Sequence, residues 1–231
     1  FFFGFHVLKR TANMKRAVLL WTKARITVTS DFNCPWCWVG KRALDKAIAA
    51  TPDVDFEVTW RPYFLDPYLP LEGKDKVKHY EAKYGRTIKD KWDRLMGRLN
   101  KHGVEVKLIE GSVLAHTRDA HRLSHYVRTA HGSAKQHELQ EVLFRMNHTE
   151  GRNISAIPEL LQAAAEVGVQ DTELKEYLES DRDLDLFVDL NERSAAAGVD
   201  GVPHFDVEGD KVTGALEPAE FEEMFKRLKK E

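Results

Sequence analysis

Cysteine is scarce in this chain, because Cys34 and Cys37 are the only two among 231 residues. A small secreted scaffold held by disulfides would be richer in cysteine, and a chain of this length buries enough surface to fold without them. The chain also lacks any apolar run near the roughly 20 residues of a membrane helix, so no membrane partner is expected. A net charge of −2 gives no reason to expect a nucleic-acid partner. The composition, 42% hydrophobic and 31% charged, is that of an ordinary globular protein.

Acidic residues are absent from the first 25 positions, and the first in the chain is Asp31. The same stretch carries six basic residues, at Lys9, Arg10, Lys15, Arg16, Lys23 and Arg25. We therefore interpret residues 1–25 as a basic leader or tail. We favour an ordinary tail or a gene-model extension upstream of Met14, and the expected location is then the cytoplasm. The alternative is a segment that targets the mitochondrion or another organelle, for which a basic, acid-free leader is typical.

The residues that follow predict a strand, a helix and a second strand. Residues 26–30 and 54–60 alternate apolar and polar side chains, as half-buried strands do. Residues 35–50 have the apolar spacing of a helix, with Pro35 at a tolerated first-turn position. This β-α-β order places Cys34 at a turn from strand to helix.

Helical periodicity extends from residue 74 to about residue 180, and we expect this span to be wholly helical. A further helix is predicted over 183–197, followed by two short strands, "VPHFDV" and "KVTGA", around the turn at Gly209. The last predicted helix covers 218–230. The order is therefore β-α-β, a helical block, and α-β-β-α.

The strongest chemical signal is Cys34-Pro35-Trp36-Cys37. A cysteine in the first turn of a helix faces unpaired N–H groups and the positive end of the helix dipole, both of which favour the thiolate. The spacing allows Cys37 to attack a mixed disulfide on Cys34 and release the substrate. We expect Cys34 to be the more exposed thiol with the lower pKa, Cys37 to be buried, and Trp36 to be exposed to substrate.

A metal site is the alternative for the cysteine pair. Zinc would need two more ligands, and His121 and His125 offer an i, i+4 pair. The sequence places them on a polar face beside three cations that oppose a metal ion, Arg118, Arg122 and Arg128. We therefore predict no metal.

Gly201-Val202-Pro203 is the second signal, because it follows a predicted helix and opens a strand. We predict that the bond before Pro203 is cis, because a cis bond would place the preceding backbone beside an approaching peptide. A trans proline that merely starts the strand is the alternative. In the strand after it, His204 and Asp206 share the face opposite Phe205. Their side chains either tune the thiolate or substrate contact or form a polar edge of the sheet, and we favour the edge.

Four motifs in order give the chain a resemblance to the DsbA-type thioredoxin family, and within it to the FrnE-like subgroup. They span residues 26–228 and read "SDFNCPWCWVGK", "VTWRPYFLDP", "AHTRDAHRL" and "GVDGVPHFDVEGDKVTGA". The resemblance implies an α/β, thioredoxin-like fold over residues 26–73 and 181–231. An all-helical domain over residues 74–180 is inserted into it and forms a lid beside the active site. His116 departs from the Asn usual in the family, as His204 and Asp206 depart from smaller or apolar residues.

The function expected from the cysteine pair and the resemblance is thiol–disulfide exchange with protein or small-molecule thiols, glutathione among them, without a cofactor. Cys34 and Cys37 are the expected catalytic residues. The expected substrate-binding residues are Pro35, Trp36, Val202 and Pro203. The alternative enzyme is a glutathione-dependent isomerase or transferase of the kappa-class or hydroxychromene carboxylate isomerase type, which uses a single nucleophile or a hydroxyl. A redox-inert or zinc-holding binding module is the non-enzymatic alternative.

Four aromatic residues outside the motif loop are expected to pack in the core or between domains rather than to form a binding box. They are Trp60, Tyr63, Tyr68 and Trp92.

Overall fold

A mixed four-stranded sheet runs through the part of the chain that the computed structural model describes, residues 22–85, 87–187 and 198–228. Its strands are β1 (Thr22–Ser30), β2 (Val54–Pro62), β5 (His204–Val207) and β6 (Asp210–Thr213), in the order β2-β1-β5-β6. The strand β1 pairs parallel with β2 and antiparallel with β5. The central sheet is thus built from both ends of the chain.

The first strand is four residues longer than the predicted 26–30: β1 begins at Thr22 and ends at Ser30. Its pairing with β2 starts with Thr22 opposite Val54, and the alternation continues backwards, with Ala24 buried and Arg25 exposed. Residues 22–25 therefore belong to the sheet and not to the leader. The remainder of that segment, residues 1–21, lies outside the described residues.

Two helices pack together beside the sheet. They are α1 (Pro35–Ala49), which follows β1, and α8 (Pro218–Leu228), near the end of the chain. The apolar spacing of α8 brings Phe221 within 4.9 Å of Phe205 and Phe225 within 4.4 Å of Phe56, measured between ring centroids. Helix α1, which begins with the cysteine motif, is thereby anchored to the core.

The middle of the chain contains six helices in the described residues: α2 (Lys76–Tyr84), α3 (Ile88–Asn100), α4 (Arg118–His131), α5 (Ser133–His148), α6 (Ile157–Glu166) and α7 (Leu174–Glu179). None of the helices that the structure describes is long and apolar enough to cross a membrane. The domain bounds 26–73, 74–180 and 181–231 stay a prediction.

The expectation that residues 74–180 are wholly helical is wrong. Strand β3 (Lys74–Asp75) pairs antiparallel with β4 (Val113–Leu114), and the Lys76 N–H extends the link by donating to the Ser112 carbonyl at 2.9 Å. Two-residue strands are too short to show an alternating pattern in a sequence. This small sheet joins the two ends of the segment that carries α2 and α3.

The face of α4 that was predicted to be polar is partly buried, which is a second correction. His121 and Arg122 are buried, Arg118 and His125 are half-buried, and Arg128 is exposed. Arg122 is 1% exposed. Its guanidinium donates to four backbone carbonyls beyond α4, those of Tyr177, Leu178, Ser180 and Arg182, and to the Asp119 carboxylate. Five donors in a planar fork suit such a set of acceptors, so the charge is buried with its hydrogen bonds satisfied.

The helix predicted over 183–197 lies mostly outside the described residues, although residues 184–187 are helical. The hairpin of β5 and β6 follows as predicted, with its turn at Glu208 and Gly209. Both turn residues have positive φ, 48° and 98°, which favours glycine at the second position.

Candidate active site

Cys34 occupies the N-cap position of α1, where β1 has ended and the helix begins. Its backbone is extended, with φ −95° and ψ 106°, and its carbonyl accepts from the Cys37 N–H at 3.0 Å. The Cys34 side chain makes no capping hydrogen bond, and the backbone N–H groups of Trp36 and Cys37 favour its thiolate. The local structure therefore provides the thiolate-favouring environment that the sequence predicts.

The two thiols differ in exposure and in acidity. Cys34 is 8% exposed and Cys37 is fully buried, and both are free thiols. A hydrogen bond from the Cys37 thiol lowers the pKa of Cys34 below its ordinary value. Burial raises the pKa of Cys37 well above its ordinary value. The predicted order of exposure and of pKa is confirmed.

The Val202–Pro203 peptide bond is cis, as predicted, and its carbonyl faces the cysteine pair. The Sγ atom of Cys34 lies 3.7 Å from the Val202 carbonyl oxygen. Gly40 in α1 lets this loop approach closely, because a Cβ atom there would lie 2.8 Å from Phe205 Cζ and 3.2 Å from Pro203 Cγ.

Asp31 is a buried acid beside the pair, and the sequence analysis missed it. Its two carboxylate oxygens accept from the backbone N–H groups of Asn33, at 3.0 Å, and Leu65, at 2.7 Å. Burial raises its pKa from 3.8 to about 6, and its negative charge opposes ionisation of Cys34. The sequence signal that could have identified Asp31 is an acidic residue three positions before Cys34, directly after an apolar strand.

The aromatic residues divide between surface and core. Trp36 is 45% exposed, as predicted, while Trp60 and Trp92 are buried. The prediction of packing is wrong for Tyr68, which is 90% exposed. Tyr68 belongs to an exposed turn after β2, in which its N–H donates to the Asp66 carboxylate.

The histidines of the helical block take separate positions. His121 is buried, with its ring centroid 4.8 Å from that of Phe32, and burial lowers its pKa to about 3. His125 lies 4.0 Å from Asp183, and His116 accepts a hydrogen bond from the Arg118 N–H. Within the described ranges, no three His, Cys, Asp or Glu side chains are grouped as metal ligands would be.

The side chains after Pro203 do not lie at an edge of the sheet, contrary to the favoured expectation. Strand β5 lies between β1 and β6, so His204 and Asp206 are on an interior strand. The His204 ring bonds Thr213 Oγ1 at 2.7 Å, and the Asp206 carboxylate accepts from the Gly209 N–H. Both side chains therefore have partners within the hairpin.

The combination of this sheet order, a cysteine pair in the first turn of α1 and a cis-proline loop facing it defines a thioredoxin-fold thiol oxidoreductase with a helical insertion. More specifically, residues 25–226 match the model of the DSBA-like thioredoxin domain, and the chain belongs to that family. Membership of the FrnE-like subgroup stays a prediction.

The chain is similar to three proteins of interest. It is 30% identical to YwbO, an uncharacterised protein of Bacillus subtilis, over 85% of this chain and 93% of that protein. A probable DsbA oxidoreductase from Streptomyces coelicolor shares 26% identity and has a TM-score of 0.77, with 90% of this chain and 91% of that one covered. The cytosolic disulfide reductase DsbM from Pseudomonas aeruginosa, solved with GSH, shares 16% identity. It has a TM-score of 0.59 and covers 90% of this chain and all of its own, so it shows the fold alone.

Proposed function

We propose that the protein exchanges disulfides with thiols of proteins or small molecules through Cys34 and Cys37. The observation that carries the proposal is the difference between two neighbouring thiols. One lies at the helix N-terminus with a lowered pKa, and the other is buried with a raised pKa. The attacking cysteine has to be a thiolate at neutral pH, whereas the resolving cysteine has to stay a protonated thiol until the mixed disulfide has formed.

The reaction begins when the Cys34 thiolate attacks one sulfur of a substrate disulfide. A bond forms between Cys34 and that sulfur, the substrate S–S bond breaks, and the first thiolate leaves and takes up a proton. Cys37 then loses its proton, attacks Cys34 Sγ and releases the second thiolate, which is protonated in turn. The substrate gains two electrons, and the pair becomes a disulfide. The reverse sequence oxidises a dithiol substrate.

The substrate-binding residues in this proposal surround Cys34. The Val202 carbonyl lies 3.7 Å from Cys34 Sγ and precedes the cis bond to Pro203, while Pro35 and the exposed Trp36 follow Cys34 in the chain. GSH in the structure of the similar DsbM supports a small thiol among the partners. Residues 74–180 act as the lid, since helical-block side chains line a cavity together with Pro35.

Single substitutions of the two cysteines test the mechanism. Cys37→Ser removes the resolving thiol, so the mixed disulfide on Cys34 should accumulate with a disulfide substrate and appear on a non-reducing gel. Cys34→Ser should give neither adduct nor turnover, because buried Cys37 does not reach the substrate. A glutathione-dependent isomerase with a single nucleophile predicts that Cys37→Ser is nearly silent. Wild-type disulfide turnover by Cys37→Ser would therefore overturn the two-thiol mechanism.

A further inference from the structure

Lys76, the first residue of α2, carries a buried charge without a counter-ion among the described residues. Its side chain is 4% exposed, and burial alone lowers its pKa from 10.5 to about 8, so it stays largely protonated at neutral pH. Its Nζ donates at 2.9 Å to the carbonyl oxygen and to Oδ1 of Asn147, both neutral acceptors. An ammonium has three N–H donors, and a buried charge is costly unless an opposite charge accompanies it.

Lys76 lines a cavity of about 160 Å³ together with His148. His148 is also 4% exposed, and its Nε2 has no hydrogen-bond partner among the described residues, while the ring bonds the Phe32 carbonyl. Burial and the charge of Lys76 lower the pKa of His148 to about 3, so the ring is neutral. The lining of the cavity therefore includes one cation and one unused polar nitrogen.

The other residues that line the cavity are mostly aromatic or apolar, and one of them belongs to the cysteine motif. They include Pro35, Tyr80, Trp92 and Met96. Pro35 follows Cys34 in the chain. Burial raises the pKa of Tyr80 to about 12, with smaller contributions from Tyr84 and from the charge of Cys34, so Tyr80 is near the nucleophile. A molecule held in this cavity would therefore lie beside the cysteine motif.

We propose that this cavity binds the carboxylate of a small thiol or disulfide whose sulfur is exchanged at Cys34, and that Lys76 is the anchor. The proposal rests on the proposed function and adds the substrate class, an acidic low-molecular-weight thiol. The carboxylate accepts from the third Lys76 N–H and supplies the missing negative charge. His148 Nε2 accepts an N–H or O–H of the same molecule. The methylene groups replace water against the aromatic walls.

Three disulfides that differ in charge test the proposal. They are the symmetric disulfides of mercaptopropionate, mercaptoethanol and cysteamine, which are anionic, neutral and cationic. The measurement is the rate constant for oxidation of the reduced Cys34–Cys37 pair, divided by the rate for a free model dithiol to remove intrinsic reactivity. We expect the wild type to favour the anionic over the neutral disulfide by about tenfold, the size of a charged hydrogen bond. The cationic disulfide should be the slowest.

Lys76→Met should abolish the preference for the anion, so that the normalised rates for the anionic and the neutral disulfide become equal. Lys78→Met is the matched control, because Lys78 lies on the same helix with its side chain 81% exposed, and it should keep the preference. Lys76→Gln, which retains an amide donor for Asn147, serves if the Met variant does not fold.

The outcomes separate the two proposals. Equal normalised rates for the anionic and neutral disulfides in the wild type would overturn the binding proposal, as would a preference that survives Lys76→Met and Lys76→Gln. In either case exchange itself still occurs, and the proposed function stands. Absence of reaction with all three disulfides contradicts the proposed function instead.

Discussion

The Sγ atom of Cys34 lies 3.7 Å from the backbone carbonyl oxygen of Val202, a residue 168 positions further along the chain. This contact joins the first turn of α1 to the loop that precedes β5. Everything between β2 and β5, including the helical block, separates the two segments in sequence. The reactivity of Cys34 is therefore a property of the assembled fold and responds to changes on either side of the contact.

The hydrogen bond from Cys37 is the largest influence on the acidity of Cys34. We expect Cys37→Ala to raise the pKa of Cys34, because no donor remains at that position. Cys37→Ser retains a hydroxyl donor and should raise it less. The pH dependence of Cys34 alkylation by iodoacetamide in both variants measures the difference. Identical midpoints for the Ala and Ser variants would show that the bond does not control the thiolate.

Asp31 is expected to destabilise the fold as the pH rises. Its folded pKa of about 6 exceeds the ordinary 3.8, so the folded state binds the proton more tightly than the unfolded state. The cost of ionisation is absent below pH 3.8, grows between 3.8 and about 6 and is complete above. It amounts to about 3 kcal/mol, since one pKa unit corresponds to about 1.4 kcal/mol. The free energy of unfolding of Asp31→Asn, relative to the wild type, should rise by this amount over that window.

Asp45 is the control for Asp31, because its pKa is lowered where that of Asp31 is raised. The hydrogen bond from His137 and the charge of Lys41 outweigh burial and lower the pKa of Asp45. Its contribution to stability is present above the ordinary carboxyl pKa and is lost as the pH falls. Asp45→Asn should therefore lose stability relative to the wild type as the pH rises from acid. Urea unfolding at a series of pH values measures both variants, and parallel curves would contradict the assignment.

Gly40→Ala should disturb the contact between α1 and the loop at Pro203. A Cβ atom at Gly40 would overlap Phe205 at 2.8 Å, and overpacking of a core costs about 1–3 kcal/mol. Gly97→Ala is the matched control, because its Cβ would meet nothing within 4 Å. That substitution within α3 should stabilise by up to about 1 kcal/mol. The denaturant midpoints of the two variants should shift in opposite directions from that of the wild type. A shift of both midpoints in the same direction would be inconsistent with the packing described.

Arg122 should be among the most sensitive residues of the helical block. Arg122→Met leaves four backbone carbonyls without their donor, and removing one side of a buried charged network costs about 3–5 kcal/mol. Arg128→Met, on the exposed side of the same helix, should change stability by less than about 0.5 kcal/mol. Thermal unfolding of the two variants provides the comparison. Equal melting temperatures would mean that the buried guanidinium does not hold the end of α7 in place.

The sequence predicted those features that depend on neighbours within a few residues. The β-α-β opening, the helix-capping position of Cys34 and the burial of Cys37 follow from local periodicity and from Pro35. The cis bond before Pro203 was predicted from the motif and the resemblance, whereas other features that depend on distant partners were missed. The burial of Lys76 requires Asn147, 71 residues away, and the pairing of β3 requires Val113 and Leu114. No pattern around Lys76 distinguishes it from exposed Lys78.

The order of the strands also determines when the central sheet can be completed during synthesis. Strand β1 is paired on one side with β2, but its other side has to wait for β5, where Ile26 meets Val207. At about 5–20 residues per second, the ribosome needs roughly ten to thirty seconds to make the 168 positions between Cys34 and Val202. For that time the nascent chain presents an unpaired strand edge beside two free thiols, and such edges recruit other chains. Newly made protein is therefore most exposed to mispairing and premature oxidation before its final hairpin emerges.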